Sequence, residues 1–246
     1  MESTCRRAIE IGLPGLAFTE HADFVQIHAG QHALDLKGYL GAINSCRQRF
    51  PALRILSGVE LGEPHHHQEL AAEVLSGGDL DRVLGSVHCL RVDGRVRDMS
   101  EKGVLTADSA PATFRAYLAE VLALTSSPQA FLLLAHLDYP KRYWPHRELE
   151  FRVEDFEEEY RAVLRELMQR GSVLEVNTTR GAEPHRGLCP GPPVLRWWRE
   201  IGGTAVSFGS DTHEPARLAA GFQSAAGVVE AAGFRPSRDP AGFWLR

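Results

Sequence analysis

"AVSFGSDTHEP", residues 205–215, is the stretch on which the reading of the fold turns. A short apolar run, Ala205 to Phe208, passes through Gly209 and delivers Asp211 and His213 two residues apart. This is the pattern of a buried strand that ends in ionisable side chains. The same pattern recurs along the chain. Apolar runs at Leu16–Phe18, Arg54–Val59, Arg82–Val87, Phe131–Ala135, Val173–Val176 and Thr204–Phe208 each end in or lead into polar residues. Those residues are Glu20 and His21, then Glu60, then His88, then His136 and Asp138, then Glu175, Asn177 and Arg180, then Asp211 and His213.

Helical patterns separate the runs. The clearest is 154–170, where Phe156, Tyr160, Val163, Leu164, Leu167 and Met168 recur at spacings of three and four. Acidic residues crowd its start and Arg170-Gly171 closes it, as helix ends prefer. Others are predicted over 35–49, 66–76, 111–125 and 191–201, and the N-terminus reads as an amphipathic helix. Continuous apolar strands alternating with helices predict an α/β fold with a parallel sheet under helices. No linker or shift in composition divides the chain, so one domain over 1–246 is expected. The connections 20–34 and 89–110 are long, and long connections in a compact domain are often functional.

Composition narrows the function. The chain has 246 residues, 43% of them apolar and 24% charged, ordinary for a globular protein with a sizeable core. A net charge of −5 with scattered Lys and Arg argues against a grip on nucleic acid, but leaves room for a small phosphorylated substrate. No apolar run approaches the ~20 residues of a membrane span. The start of the chain has no signal-peptide core, and the four cysteines form no CxxC pair. A reduced, cytoplasmic protein without membrane association is the expectation.

In a parallel barrel the C-terminal strand ends share one face, where active sites form. Histidines and carboxylates gathered there suit zinc, iron or manganese. A lone strand-end histidine is more often a satisfied polar residue than a ligand. Recurrence at equivalent places on successive strands is what points to a metal centre. The run His65-His66-His67 reads instead as a solvated loop or helix start.

The ordered motifs "AFTEHAD", "GVELGE", "GSVHCL", "LAHLDYPKR", "LEVNTT" and "FGSDTHEP" resemble the PHP (polymerase and histidinol phosphatase) superfamily, and within it the histidinol-phosphatase branch. The resemblance runs from about Glu2 to Gly221. It implies a distorted TIM-like (β/α)7 barrel that holds up to three divalent metal ions and hydrolyses phosphomonoesters. L-Histidinol phosphate is the first substrate implied; a nucleotide or phosphotyrosine is the alternative. By resemblance Glu60 is a carboxylate bridging two metals, with His88 and His136 completing one of them. Asp211 resembles a ligand of the other, and His21 and His213 ligands of the third.

The family pattern opens with a strand carrying His-x-His, whereas "STCRRAIEIGL" here looks like the first helix. The resemblance therefore implies an incomplete barrel and fewer metals, with Glu60, His88 and His136 as the complete set. It also implies a start upstream of Met1, a truncated gene product, or a natural variant that is a catalytically impaired metal-binding protein. Lys141, Arg142 and Arg180 follow the fourth and fifth runs and are candidate phosphate contacts. Asp138 and Glu20 are candidate partners that position ligands, and no general acid is identified.

Overall fold

The computed structural model describes residues 1–25, 34–179, 183 and 186–246. Helix α1 (Glu2–Glu10) leads into strand β1 (Gly15–Asp23). Then follow α2 (Leu36–Arg49), β2 (Arg54–Gly62), α3 (Gln68–Ser76) and β3 (Arg82–Ser86). A hairpin of β4 (Cys89–Val92) and β5 (Arg95–Asp98) precedes α4 (Ala110–Ser126) and β6 (Leu133–Leu134). Next come α5 (Glu157–Gln169), β7 (Val173–Asn177), α6 (Pro192–Ile201) and β8 (Ala205–Gly209). The chain closes with α7 (Phe222–Ala231), β9 (Arg235–Pro236) and β10 (Trp244–Leu245).

The main sheet has the order β1-β2-β3-β6-β7-β8-β10-β9. All pairings from β1 to β8 are parallel, so the six apolar runs of the sequence are its six parallel strands. The sheet curves like a TIM barrel but does not close. Among the described residues β1 pairs with β2 alone. At the other side β8 pairs with β10 only over Ala205 and Val206, and that pairing is antiparallel. Strand–helix alternation predicted a parallel sheet, and the six strands β1, β2, β3, β6, β7 and β8 form one. The departure lies beyond Gly221, where β9 and β10 return as two-residue strands too short to carry a period-2 signal.

The 89–110 connection is the second correction. It is not a plain loop: Cys89–Val92 and Arg95–Asp98 pair antiparallel, turned at Asp93 and Gly94. Both turn residues have positive φ, +49° and +76°, as a tight hairpin turn demands. Asp-Gly between two short runs was the signal present in the sequence.

Helices cover the sheet because each carries one apolar face. On α5, Tyr160, Val163, Leu164 and Leu167 are fully buried, while Glu157, Glu158 and Glu159 occupy the first turn, where the helix dipole favours negative charge. On α6, Pro192 starts the helix and Gly202, at φ +105°, ends it. Between these caps Trp198 is fully buried, and its Nε1 donates to the carbonyl of Ala205 at 3.0 Å. Gly203 lies flat against that indole, leaving no room for a methyl group. Gly203→Ala is therefore expected to cost about 1–3 kcal/mol by overpacking. That is a fall of several degrees in the thermal midpoint for a chain of this size; an unchanged midpoint in a near-UV melt would refute the contact.

Because the barrel stays open, a cavity of about 760 Å³ runs from the strand ends at His21, Glu60 and Asp211 toward Met1 and Arg82 at the opposite end. Apolar side chains including Phe18, Leu56 and Phe208 line it between these ends.

Candidate metal centre

Register brings the ligands together. His21 on β1 is the Cα partner of Glu60 on β2, and Gly62 is the partner of Ser86 on β3. Two residues past Ser86 stands His88, and two past the end of β6 stands His136. Three residues here, Glu63, His136 and Asp211, have positive φ (+45°, +22° and +46°) although none is glycine. The chain turns sharply at these strand ends, and such backbone persists only where its surroundings enforce it.

Glu60 is the centre of the cluster. Its Oε1 lies 2.7 Å from His136 Nε2 and 3.1 Å from His88 Nε2, and the two imidazole nitrogens are 3.3 Å apart. All three side chains are buried. The triangle can be tested against a metal. Zinc holds imidazole nitrogen at about 2.0–2.1 Å, which puts neighbouring ligand atoms of a tetrahedron about 3.3 Å apart. The 3.1 and 3.3 Å edges match that spacing and the 2.7 Å edge falls short of it, so the donor set fits one divalent ion once Glu60 Oε1 draws back from His136 by about half an ångström.

Asp23 supports this group from behind. Its Oδ1 is 3.3 Å from His88 Nδ1 and its Oδ2 3.3 Å from His21 Nδ1. One buried carboxylate thus fixes two rings and leaves the Nε2 of each available, the arrangement by which ligating histidines are oriented. Gly62 makes it possible, since a Cβ there would fall on Asp23 Oδ1. Glu63 Oε1 accepts the backbone N–H of His88 and, at 2.8 Å, that of Cys89. Glu175 Oε2 accepts the N–H of His136 at 2.8 Å. Gly209 leaves the space that Glu175 fills.

His21 and His213 stack with ring centroids 5.7 Å apart. His21 also lies 5.7 Å from the His88 ring. His21, Glu60 and His88 offer ligand atoms all within 4.8 Å of one another. Asp211 is held differently: Arg142 Nη2 lies 2.9 Å from its Oδ2, and Asn177 Nδ2 donates to the same oxygen at 3.2 Å.

The electrostatics are those of a site built for positive charge. Burial opposes a charge on Glu60, but the His136 and His88 rings outweigh it and hold the carboxyl well below the usual carboxylate range. Burial likewise opposes a proton on His88, yet Asp23 and Glu60 raise it well above the usual imidazole value. His21 is pushed up to about 8, with Asp23 and Glu60 outweighing burial. Asp23 is depressed, its two histidines overcoming desolvation. Protons on the imidazoles balance the carboxylates here, a task that a divalent cation can take over.

The remaining expected residues are placed as follows. Arg142 is buried against Asp211 and over the Tyr139 ring, 5.1 Å from its centroid. Lys141, expected at the phosphate, instead binds Asp138 Oδ2 at 2.8 Å and the Leu188 carbonyl. It borders a second cavity with Glu150 and Arg186. Asp138 also accepts from the Tyr160 hydroxyl at 3.0 Å, so it serves this buried network. The cause is the 3-10 turn over Tyr139–Tyr143, which sends the adjacent Lys141 and Arg142 in different directions. Glu20 is exposed at the mouth of the first cavity. Arg180 lies outside the described residues. Sequence reasoning overlooked Asp23, although "EHAD" places it two residues after His21, and Glu63, three after Glu60.

Comparison with known proteins gives a consistent set. The PHP domain family model matches residues 1–179. The chain is 27% identical over 223 residues to a probable histidinol-phosphatase of Clostridium acetobutylicum, covering 90% of this chain and 84% of that protein. It is 26% identical over 228 residues to the histidinol-phosphatase of Lactococcus lactis, covering 92% and 83%. Two crystal structures share the fold. The L. lactis histidinol phosphate phosphatase, complexed with zinc, L-histidinol and phosphate, superposes with a TM-score of 0.77 at 22% identity, covering 94% of this chain and 86% of that one. A putative histidinol phosphatase of Listeria monocytogenes superposes with a TM-score of 0.79 at 19% identity, covering 91% and 92%. No helix among the described residues is long and apolar enough to cross a membrane.

Proposed function

Since this chain belongs to the PHP family and is a phosphatase, we propose that its substrate is L-histidinol phosphate, hydrolysed to L-histidinol and phosphate in a site built on Glu60, His88 and His136. The observation that carries the reading is the buried triangle of these three side chains at close to the spacing of metal ligands, with Glu60 and His136 lining the cavity at the strand ends. A divalent ion bound there supplies Lewis acidity toward the phosphoryl oxygens and lowers the pKa of water.

The protein's own residues divide the remaining work. Asp23 orients His88 and His21 through their Nδ1 atoms. Glu63 and Glu175 fix the backbone of His88 and of His136. His21, His213 and Asp211 stand ready as further ligands, as the family resemblance implies. Arg142 is a buried cation on the same face, and a planar guanidinium beside the site suits phosphoryl oxygens. In hydrolysis, water bonds to phosphorus, the ester P–O bond breaks and the alcohol departs with a proton. Phe208 and Phe222 along the cavity offer flat apolar contact to an imidazole. Exposed Glu20 and Glu214 at its rim offer carboxylates to an ammonium group. L-Histidinol phosphate carries both groups and bears its phosphate away from the ring, whereas a nucleotide lacks an aliphatic ammonium and phosphotyrosine carries its phosphate on the ring itself.

The test is phosphate release after chelation, with Zn²⁺ or Mn²⁺ restored, from L-histidinol phosphate, a nucleoside monophosphate, phosphotyrosine and p-nitrophenyl phosphate. The chelated protein should be inactive and regain turnover with metal, with kcat/KM highest for L-histidinol phosphate. Higher kcat/KM for a nucleotide or for phosphotyrosine would reassign the substrate. Turnover that chelation leaves untouched would overturn the metal centre.

A further inference from the structure

His65 and His66 lie in a turn just before α3, as the histidine run suggested, but only His66 is solvated and both rings are committed to a distant side chain. The chain leaves β2, turns through Glu63 and Pro64, and brings both rings onto α4. Nε2 of His65 lies 2.6 Å from Glu120 Oε1, and Nε2 of His66 contacts the same oxygen. The two rings are 4.2 Å apart, centroid to centroid. His65 is buried, with 5% of its side chain exposed, and Glu120 is mostly covered at 25%, while His66 opens to solvent at 58%. None of the three borders the cavity of the Glu60 cluster.

We propose that His65, His66 and Glu120 form a second divalent-metal site, of the zinc or cobalt class, on the outer wall of the barrel. Two imidazole nitrogens and one carboxylate oxygen, all within 4.8 Å of one another, are a donor set that borderline-soft divalent ions accept. The open side at His66 leaves room for a water as fourth ligand. Ordinary His–Glu hydrogen bonding explains one ring on Glu120. It explains less well why two consecutive histidines in one turn direct the same nitrogen at a single oxygen. Binding requires the oxygen to draw back from His65 by about half an ångström, to the ~3.2 Å edge of a tetrahedral site.

The site ties together two supports of the same strand end. The turn that carries His65 also carries Glu63, which accepts the N–H groups of His88 and Cys89. One turn before Glu120 on α4, the Tyr117 hydroxyl donates to the Val87 carbonyl at 3.0 Å. An ion bridging turn and helix would therefore clamp the segment that positions His88. The affinity has an upper bound. Nδ1 of His65 is buried with no hydrogen-bond partner among the described residues, and ligating histidines that lack such a partner bind metal about 10- to 100-fold more weakly. Binding in the micromolar range is expected, not the nanomolar range of a fully supported site.

The experiment is equilibrium dialysis of the untagged protein against Zn²⁺ at tens of micromolar, with metal counted by elemental analysis. His66→Ala and Glu120→Gln should each bind one equivalent fewer than wild type. Glu60→Gln should keep that equivalent and lose a different one, so this site and the catalytic reading fail separately. His66 is exposed, so its alanine variant should fold, and circular dichroism checks this. Co²⁺ added to wild type should give tetrahedral d–d absorption that weakens in His66→Ala by about one site's share. Equal stoichiometry in wild type, His66→Ala and Glu120→Gln would overturn the proposal and leave the three side chains as a hydrogen-bonded cluster.

Discussion

Glu60→Gln is expected to lower phosphatase turnover on the order of 10³-fold, about 4 kcal/mol of transition-state stabilisation. The substitution keeps size and shape but replaces the one anion on which His88 and His136 converge. A neutral amide is a poor ligand for a divalent cation, and its NH2 would compete with the two imidazoles for space. The effect should have two readouts. Turnover falls, and the rise in thermal midpoint that Zn²⁺ gives the wild type shrinks, because metal that binds only the folded state stabilises it by mass action. The apo protein should fold in both cases, since Glu60 contributes to the cluster and not to the apolar core. Turnover within tenfold of wild type would remove Glu60 from the centre.

Asp23→Asn is the second large effect, and it separates orientation from ligation. Asp23 touches two histidines through Nδ1. A carboxylate can accept from both; an asparagine offers one oxygen and turns its NH2 toward the other ring. Metal affinity should fall about 10- to 100-fold, the usual loss when the partner of a ligating histidine is removed. Because the ligands themselves remain, saturating metal should restore most of kcat in Asp23→Asn but not in Glu60→Gln. A merely structural aspartate would show neither the shift in metal dependence nor the rescue. Equal metal dependence in Asp23→Asn and wild type would sink the assignment.

The parallel framework was legible because burial writes itself into composition. A strand covered on both faces is mostly apolar, so runs such as Arg54–Val59 and Val173–Val176 stand out between amphipathic helices. The strand-end histidines and carboxylates were legible for a related reason. Ionisable groups are rare in such runs, so their recurrence near or just past the ends called for a shared purpose.

Tertiary structure decided the rest. Sequence spacing put Asp138 two residues from His136 and made it a neighbour of the site. The 3-10 turn that follows instead commits it to Lys141 and Tyr160. The same turn aims Arg142 at Asp211, a direction set by backbone torsion and not by residue type. Asp23 and Glu63 gained their roles only when neighbouring strands came into register and Gly62 left room beside them. His65 and His66 do sit in a turn, but nothing local names their shared partner Glu120, which is 54 residues beyond His66. Local chemistry fixes which segments must be buried and which residues can carry charge. Which charges meet is decided by contacts between distant segments, whose energies depend on geometry that no single stretch of the chain contains.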